Sequence, residues 1–184
     1  MEKLIITVLG KDRPGIIAKV SASLYALDCN LQNVNQMILQ NEFSGFFIVE
    51  PPDSLDMETL EHRLDQELSG EGLRLYIDQM SPSDEKQVSG VSETFLITTI
   101  GPDQKGLVAK FTQIIAAHQV NVTNLTAVFK GGDDPTANIM VYEVAMTHNT
   151  DQAHLFNALR TKATELGLDI SIQHKNIFET INKI

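Results

Sequence analysis

The chain has 184 residues, 42% of them hydrophobic and 21% charged, the make-up of a folded globular protein rather than a disordered one. The formal charge is −10, and it is unevenly spread: residues 1–91 carry 7 Lys/Arg against 15 Asp/Glu, residues 92–184 carry 7 against 9. Neutralising phosphates takes a basic surface, so direct nucleic-acid binding is not expected, although a partner that itself binds DNA stays open.

In chain order, Met1-Glu2-Lys3 runs straight into a strand-like segment, Lys3 to Leu9, rich in aliphatic and β-branched residues. No signal peptide is expected there, and no apolar run approaches the ~18 residues of a membrane span. Gly10 to Gly15 reads as a turn, with Pro14 marking a helix start. Ile16, Ile17, Val20, Leu24 and Leu27 follow at helical spacing. Cys29, the only cysteine, excludes an intrachain disulfide, fits a reducing cytoplasm and reads as a core residue. Asn30 to Leu39 is a second strand, Gln40-Asn41-Glu42 a short hairpin connection and Phe43 to Val49 a third strand, stopped by Pro51-Pro52. Leu55 to Leu68 is an amphipathic helix on Leu60, Leu64 and Leu68, ended by Gly70 and Gly72. Leu73, Leu75 and Ile77 alternate as a fourth strand.

The order β-α-β-β-α-β is the ferredoxin-like pattern. Polar residues 81–92 read as a linker between a first domain, 1–80, and a second, 93–175. The second domain repeats the order: strand Thr94 to Ile100, helix Leu107 to His118, strands Val120 to Lys130 and Ala137 to Met146, helix Asp151 to Leu166, strand Leu168 to Gln173. Asp151 reads as the N-cap and Gly167 as the C-cap of its last helix. The connection between its middle strands, Gly131 to Thr136, is longer than in the first half. Residues 176–184 form a tail, with Ile177, Phe178, Ile181 and Ile184 at the spacing of a short amphipathic helix. The fold class is α+β, two tandem ferredoxin-like units with antiparallel sheets and helices on one face.

The two halves match residue by residue. With an offset of 91, Ile6, Thr7, Ala18, Lys19, Ala26, Asn30 and Asn33 fall on Ile97, Thr98, Ala109, Lys110, Ala117, Asn121 and Asn124, without a gap. Gly10-Lys11-Asp12-Arg13-Pro14-Gly15 returns as Gly101-Pro102-Asp103-Gln104-Lys105-Gly106. A helix N-terminus leaves backbone N–H groups unpaired and carries partial positive charge, so it suits a carboxylate. Asp12 and Asp103 can cap the helix or meet an ammonium group. Asn30 and Asn121 open the next strand and offer both donor and acceptor. An amino acid presents the matching carboxylate and ammonium. The same residues also fit a loop that is turn and cap chemistry only. It is neither a dinucleotide fingerprint, since Asp replaces the second glycine, nor a phosphate-binding loop, since no Gly-Lys-Ser/Thr follows.

Gly10 to Ile16 followed by Asn30-Leu31, and Gly106-Leu107-Val108-Ala109-Lys110 with Asn121-Val122, resemble the ACT domain, a small amino-acid-sensing module. Two such domains and nothing else over essentially the whole chain resemble the glycine cleavage system transcriptional repressor family. The resemblance implies small-ligand binding where ACT sheets or repeats meet, at Asp12, Gly15, Ile16, Ile17, Asn30 and Asn33 and at Asp103, Gly106, Leu107, Val108, Asn121 and Asn124. The second loop lacks the Arg-Pro of the first, so the two sites are not expected to bind equally.

Elsewhere the sequence is less informative. His62, His118, His148, His154 and His174 show no metal-ligand spacing, and Asp133-Asp134 lacks the alternating ligands of a calcium loop. The acidic run from Asp53 to Glu71 reads as a solvated helix face, with a docking surface for a basic partner as the other reading. No serine, cysteine or lysine sits in a nucleophile context, so neither catalysis, a cofactor nor a metal is expected. The expected function is a non-catalytic cytoplasmic regulator. It would bind a small amino acid of the glycine or serine type and signal to a partner protein, such as a transcription factor of glycine cleavage genes, with a homodimer in prospect. A trans-acting regulatory subunit of an amino-acid or folate enzyme, and an assembly module with empty loops, are the alternatives.

Overall fold

Leu4–Lys11 (β1) alternates along its length: Leu4, Ile6 and Val8 are buried, while Ile5, Thr7 and Leu9 face the other way and are partly exposed. The computed structural model describes residues 3–80, 93–129 and 138–176. Ile16–Ala26 (α1) places Ile16, Val20 and Leu24 on the buried face of the sheet, and Met57–Leu68 (α2) places Leu60, Leu64 and Leu68 beside them. Asn30–Leu39 (β2), Glu42–Glu50 (β3) and Arg74–Gln79 (β4) complete a sheet in the order β2-β3-β1-β4, all neighbours antiparallel. Cys29 lies in this core, where burial raises its thiol pKa and Asp28 adds to the rise.

The second unit repeats the plan with Glu93–Gly101 (β5), Leu107–Ala117 (α3), Asn121–Phe129 (β6), Asn138–Met146 (β7), Gln152–Glu165 (α4) and Asp169–His174 (β8). Its sheet order is β6-β7-β5-β8, and Phe111, Ile115, Tyr142, Leu155 and Leu159 fill its core. The chain divides into the units Met1–Gln87 and Val88–Ile184.

Elements begin and end close to the expected residues, with local reasons for the differences. α2 starts at Met57 rather than Leu55 because Asp56 caps it, its carboxylate accepting the Thr59 N–H at 2.8 Å. That backbone bond, more than any other cause, holds the Asp56 carboxyl below its ordinary 3.8. The β2–β3 turn is Gln40-Asn41 alone, with Gln40 in the left-handed region at φ 55°. Asp151 caps α4, as expected, through the His154 N–H at 3.0 Å. The expected linker at 81–92, the connection Gly131 to Thr136 with its Asp133-Asp134, and the tail helix beyond Asn176 lie outside the described residues.

The repeat extends to irregularities. Each sheet carries the same bulge, between Leu31 and Asn33 and between Val122 and Asn124. α1 and α3 both end through a left-handed residue that is not glycine, Asp28 at φ 58° and Gln119 at φ 57°. The following N–H then closes back on the helix, Cys29 to Leu24 O at 3.0 Å and Val120 to Ile115 O at 3.3 Å. Gly10 and Gly101 let a leucine lie against the strand end: a Cβ there would stand 2.7 Å from Leu73 Cδ2 and 2.5 Å from Leu168 Cδ2.

Candidate functional site

Both repeated loops deliver the chain to a helix through a left-handed glycine, Gly15 at φ 95° and Gly106 at φ 80°. These glycines are the N-cap residues, and no side chain caps either helix. The capping role open to Asp12 and Asp103 is therefore not used, because glycine rather than aspartate occupies the position from which a side chain reaches the first-turn N–H groups. Those N–H groups take no side-chain cap among the described residues. Asp12 is instead fixed through its backbone, its N–H donating to Asn41 O at 2.9 Å, which ties the loop to the β2–β3 turn.

The loop also reaches the opposite edge of the sheet, and here the two repeats share one contact. Arg13 Nη2 donates to Glu71 O at 2.8 Å, and Gln104 Nε2 donates to Leu166 O at 2.7 Å. Arg13 and Gln104 are one repeat apart, and their acceptors immediately precede the left-handed Gly72 and Gly167. The electrostatics then diverge. In the first unit the Glu71 carboxylate pairs with both Lys19 and Arg13. The Lys19 ammonium, followed by the Arg13 guanidinium, holds the Glu71 carboxyl below its ordinary 4.5. In the second unit Leu166 stands in place of Glu71, and Lys110, the counterpart of Lys19, has no ion-pair partner among the described residues. Lys110 Cε comes within 4.0 Å of where a Gly106 Cβ would be, so its stem passes beside the helix N-terminus.

A cleft of ≈ 370 Å³ opens beside the first loop, lined by Asp12, Gly15, Ile16 and Ile17 and, from the β2–β3 hairpin, by Gln36, Ile38 and Phe43. A second, of ≈ 210 Å³, lies across the loop between Arg13, Lys19, Glu71 and Leu73. The first is at the small end of the range for ligand pockets and has room for a small amino acid.

The fold gathers only part of the expected constellation. Asp12, Gly15, Ile16 and Ile17 share the first cleft. Asp103, Gly106, Leu107 and Val108 hold the corresponding places around the start of α3. Asn30 and Asn33 lie elsewhere: they pair with Glu50 and Ile48 of β3, whereas the loop leaves β1 at Lys11, opposite Glu42. At ~3.3 Å per residue the six or more intervening residues put them about 20 Å from the loop. Asn121 and Asn124 are likewise paired with Ala145 and Glu143, far from Asn138 at the loop end of β7. The reason is topological: the helix runs back along the sheet, so the strand after it starts at the far end.

Gln36, Ile38 and Phe43 carry no signal in the sequence, because hairpin residues reach the loop through β3–β1 pairing. Lys19 and Lys110 were visible as matched residues, but not the difference in their partners. His118 and His154 also meet, Nε2 to Nδ1 at 3.1 Å, although 36 residues separate them. The His118 Nδ1–H also donates to Ile114 O at 2.8 Å. No cluster of three metal-ligating side chains occurs among the described residues.

The ACT domain family pattern matches residues 2–77 and 93–173. The chain belongs to the ACT domain family. The UPF0237 protein of Methanosarcina acetivorans, a relative of one-repeat length, is 28% identical over 93 residues, which are 50% of this chain and 98% of that one. The glycine cleavage system transcriptional repressor of Escherichia coli is similar to the ACT pair as a whole, 26% identical over 94% of this chain and 90% of its own. A solved protein of Galdieria sulphuraria shares the tandem ACT fold, with a TM-score of 0.76 at 22% identity over 94% of this chain and 98% of that chain. No helix among the described residues is long and apolar enough to cross a membrane.

Proposed function

We propose that this protein is a non-catalytic regulator that binds a small amino acid of the glycine or serine type at its repeated loops and passes the signal to a partner protein. The observation that carries the reading is the loop pair itself: two helix N-termini, each behind a left-handed glycine, each without a side-chain cap, each with an aspartate alongside. The ligand carboxylate takes the free N–H groups and its ammonium takes Asp12 or Asp103. Asn30 and Asn33, or Asn121 and Asn124, then complete a site from a second copy of the chain, since their own loop lies out of reach. Similarity over the full length to a protein named for repression of the glycine cleavage system supports a transcription factor as the partner. Ligand acts by favouring one assembly over another.

A thermal-shift titration of the full chain against the twenty amino acids tests this. A ligand bound only by the folded state raises the melting temperature as its concentration rises. We expect such a rise with glycine or L-serine, weakened in Gly15→Val or Gly106→Val, whose β-branched side chains oppose the positive φ. No rise with any amino acid overturns the reading.

A further inference from the structure

The two units differ in their cores at positions that the sheet register makes equivalent. On the helix-facing side of the first sheet stand Val8, Phe43 and Phe47, paired with Gly45, Gly10 and Ile6. At the same places in the second stand Thr99, Asn138 and Tyr142, paired with Met140, Gly101 and Ile97. Thr99 is 0% and Asn138 2% exposed. Neither Thr99 Oγ1 nor the amide oxygen or nitrogen of Asn138 has a hydrogen-bond partner among the described residues. The Tyr142 hydroxyl donates to a sulfur, Met140 Sδ, at 3.3 Å. Folded proteins leave few buried polar groups unpaired, because each forfeits its hydration without return. Here two fall together, at diagonal positions of one strand pair, where the sister unit has valine and phenylalanine.

Their position links them to the loop. Phe43, the counterpart of Asn138, lines the first unit's cleft with Asp12, Gly15 and Ile17. Asn138 pairs with Gly101, the residue from which the second loop departs, and so stands at the N-terminal end of α3. That end also carries Lys110, which has no ion-pair partner among the described residues, whereas in the first unit Lys19 is held by Glu71.

We propose that the second unit takes an amino acid with a short hydroxyl- or amide-bearing side chain, whose polar tip pairs with Asn138 and Thr99. The proposal rests on the amino-acid reading above and narrows it. The ligand carboxylate lies on the α3 N–H groups and the Lys110 ammonium. Asn138 offers an acceptor and two donors and Thr99 one of each, so a hydroxyl or a carboxamide satisfies them and a methyl group does not. A site built this way rejects the apolar analogue, because binding it leaves the buried groups unpaired. The first unit, with Val8 and Phe43 at these places, has no means of making the distinction.

The test is calorimetric titration of the full chain with L-serine, L-asparagine and L-alanine, for the wild type, Thr99→Val and Asn138→Leu. In the wild type, L-serine or L-asparagine should bind at least ~10-fold more tightly than L-alanine. In Thr99→Val, which keeps the shape, that preference should fall to about 2-fold or less. The unliganded melting temperature should hold or rise in Thr99→Val, and Asn138→Leu, where it folds, should follow. L-Alanine binding as tightly as L-serine, or a preference that survives Thr99→Val, overturns this proposal and leaves the amino-acid reading standing. So does a crystal structure in which water or the protein itself already satisfies Asn138 and Thr99 while a ligand sits elsewhere. Absence of binding by all three, and by the other amino acids, overturns both.

Discussion

Glu71 shows how one residue changes the electrostatics of two related loops. Its carboxylate neutralises Lys19 and Arg13, and its counterpart Leu166 neutralises nothing. The folded-state pKa of Glu71 lies below the ordinary 4.5, so the stabilisation from this ion cluster is fully present above that pH. It is lost as pH falls from there through the lowered value, since the unfolded chain takes up the proton first. Glu71→Gln removes that dependence. In acid melts its melting temperature should fall less steeply than that of the wild type below about pH 4.5, and at neutral pH it should lie slightly lower. Parallel acid profiles would show that the cluster contributes nothing to folding.

Among the elements, the ends of α1 and α3 carry a cost that their sequences hide. Each closes through a left-handed residue, the position glycine usually takes, yet the chain supplies Asp28 and Gln119. A short polar side chain tolerates this conformation better than a long one, so Gln119 is the more strained. Gln119→Gly should therefore stabilise the protein by up to ~1 kcal/mol, raising the melting temperature by a few degrees, with a smaller gain for Asp28→Gly. Chemical denaturation of the two variants measures the order, and equal losses would show that glycine's extra freedom in the unfolded chain dominates.

At the scale of the molecule, each unit owns a separate core, and a glycine at a strand end lets that core close. A Cβ at Gly101 would meet Leu168 Cδ2 at 2.5 Å and Gly167 O at 3.2 Å, the second being backbone that has little room to yield. Gly101→Ala should destabilise the second unit by roughly 1–3 kcal/mol through overpacking. Hydrogen exchange would localise the effect: protection should drop in β5, β7 and β8 while β1, β3 and β4 keep theirs. A uniform loss across both sheets would mean that the units unfold as one.

The sequence by itself determined the repeat, the fold class and the loop. Periodicity of two in the strands and of nearly four in the helices follows from which side chains must leave water, and the 91-residue offset doubled that evidence. Gly15 and Gly106 stand out in the sequence because the repeat returns a glycine at the same place in both loops, whereas their left-handed φ is set by the folded loop. The tertiary structure alone decided what meets what. Asn30 and Asn33 are near the loop in a motif and about 20 Å or more from it in the sheet, because a helix returns the chain to the far end of the strands. Gln36 and Phe43, the Glu71 clamp, the His118–His154 pair and the unpaired Asn138 and Thr99 depend on strand register and helix packing, which bring together residues that one-dimensional spacing keeps apart.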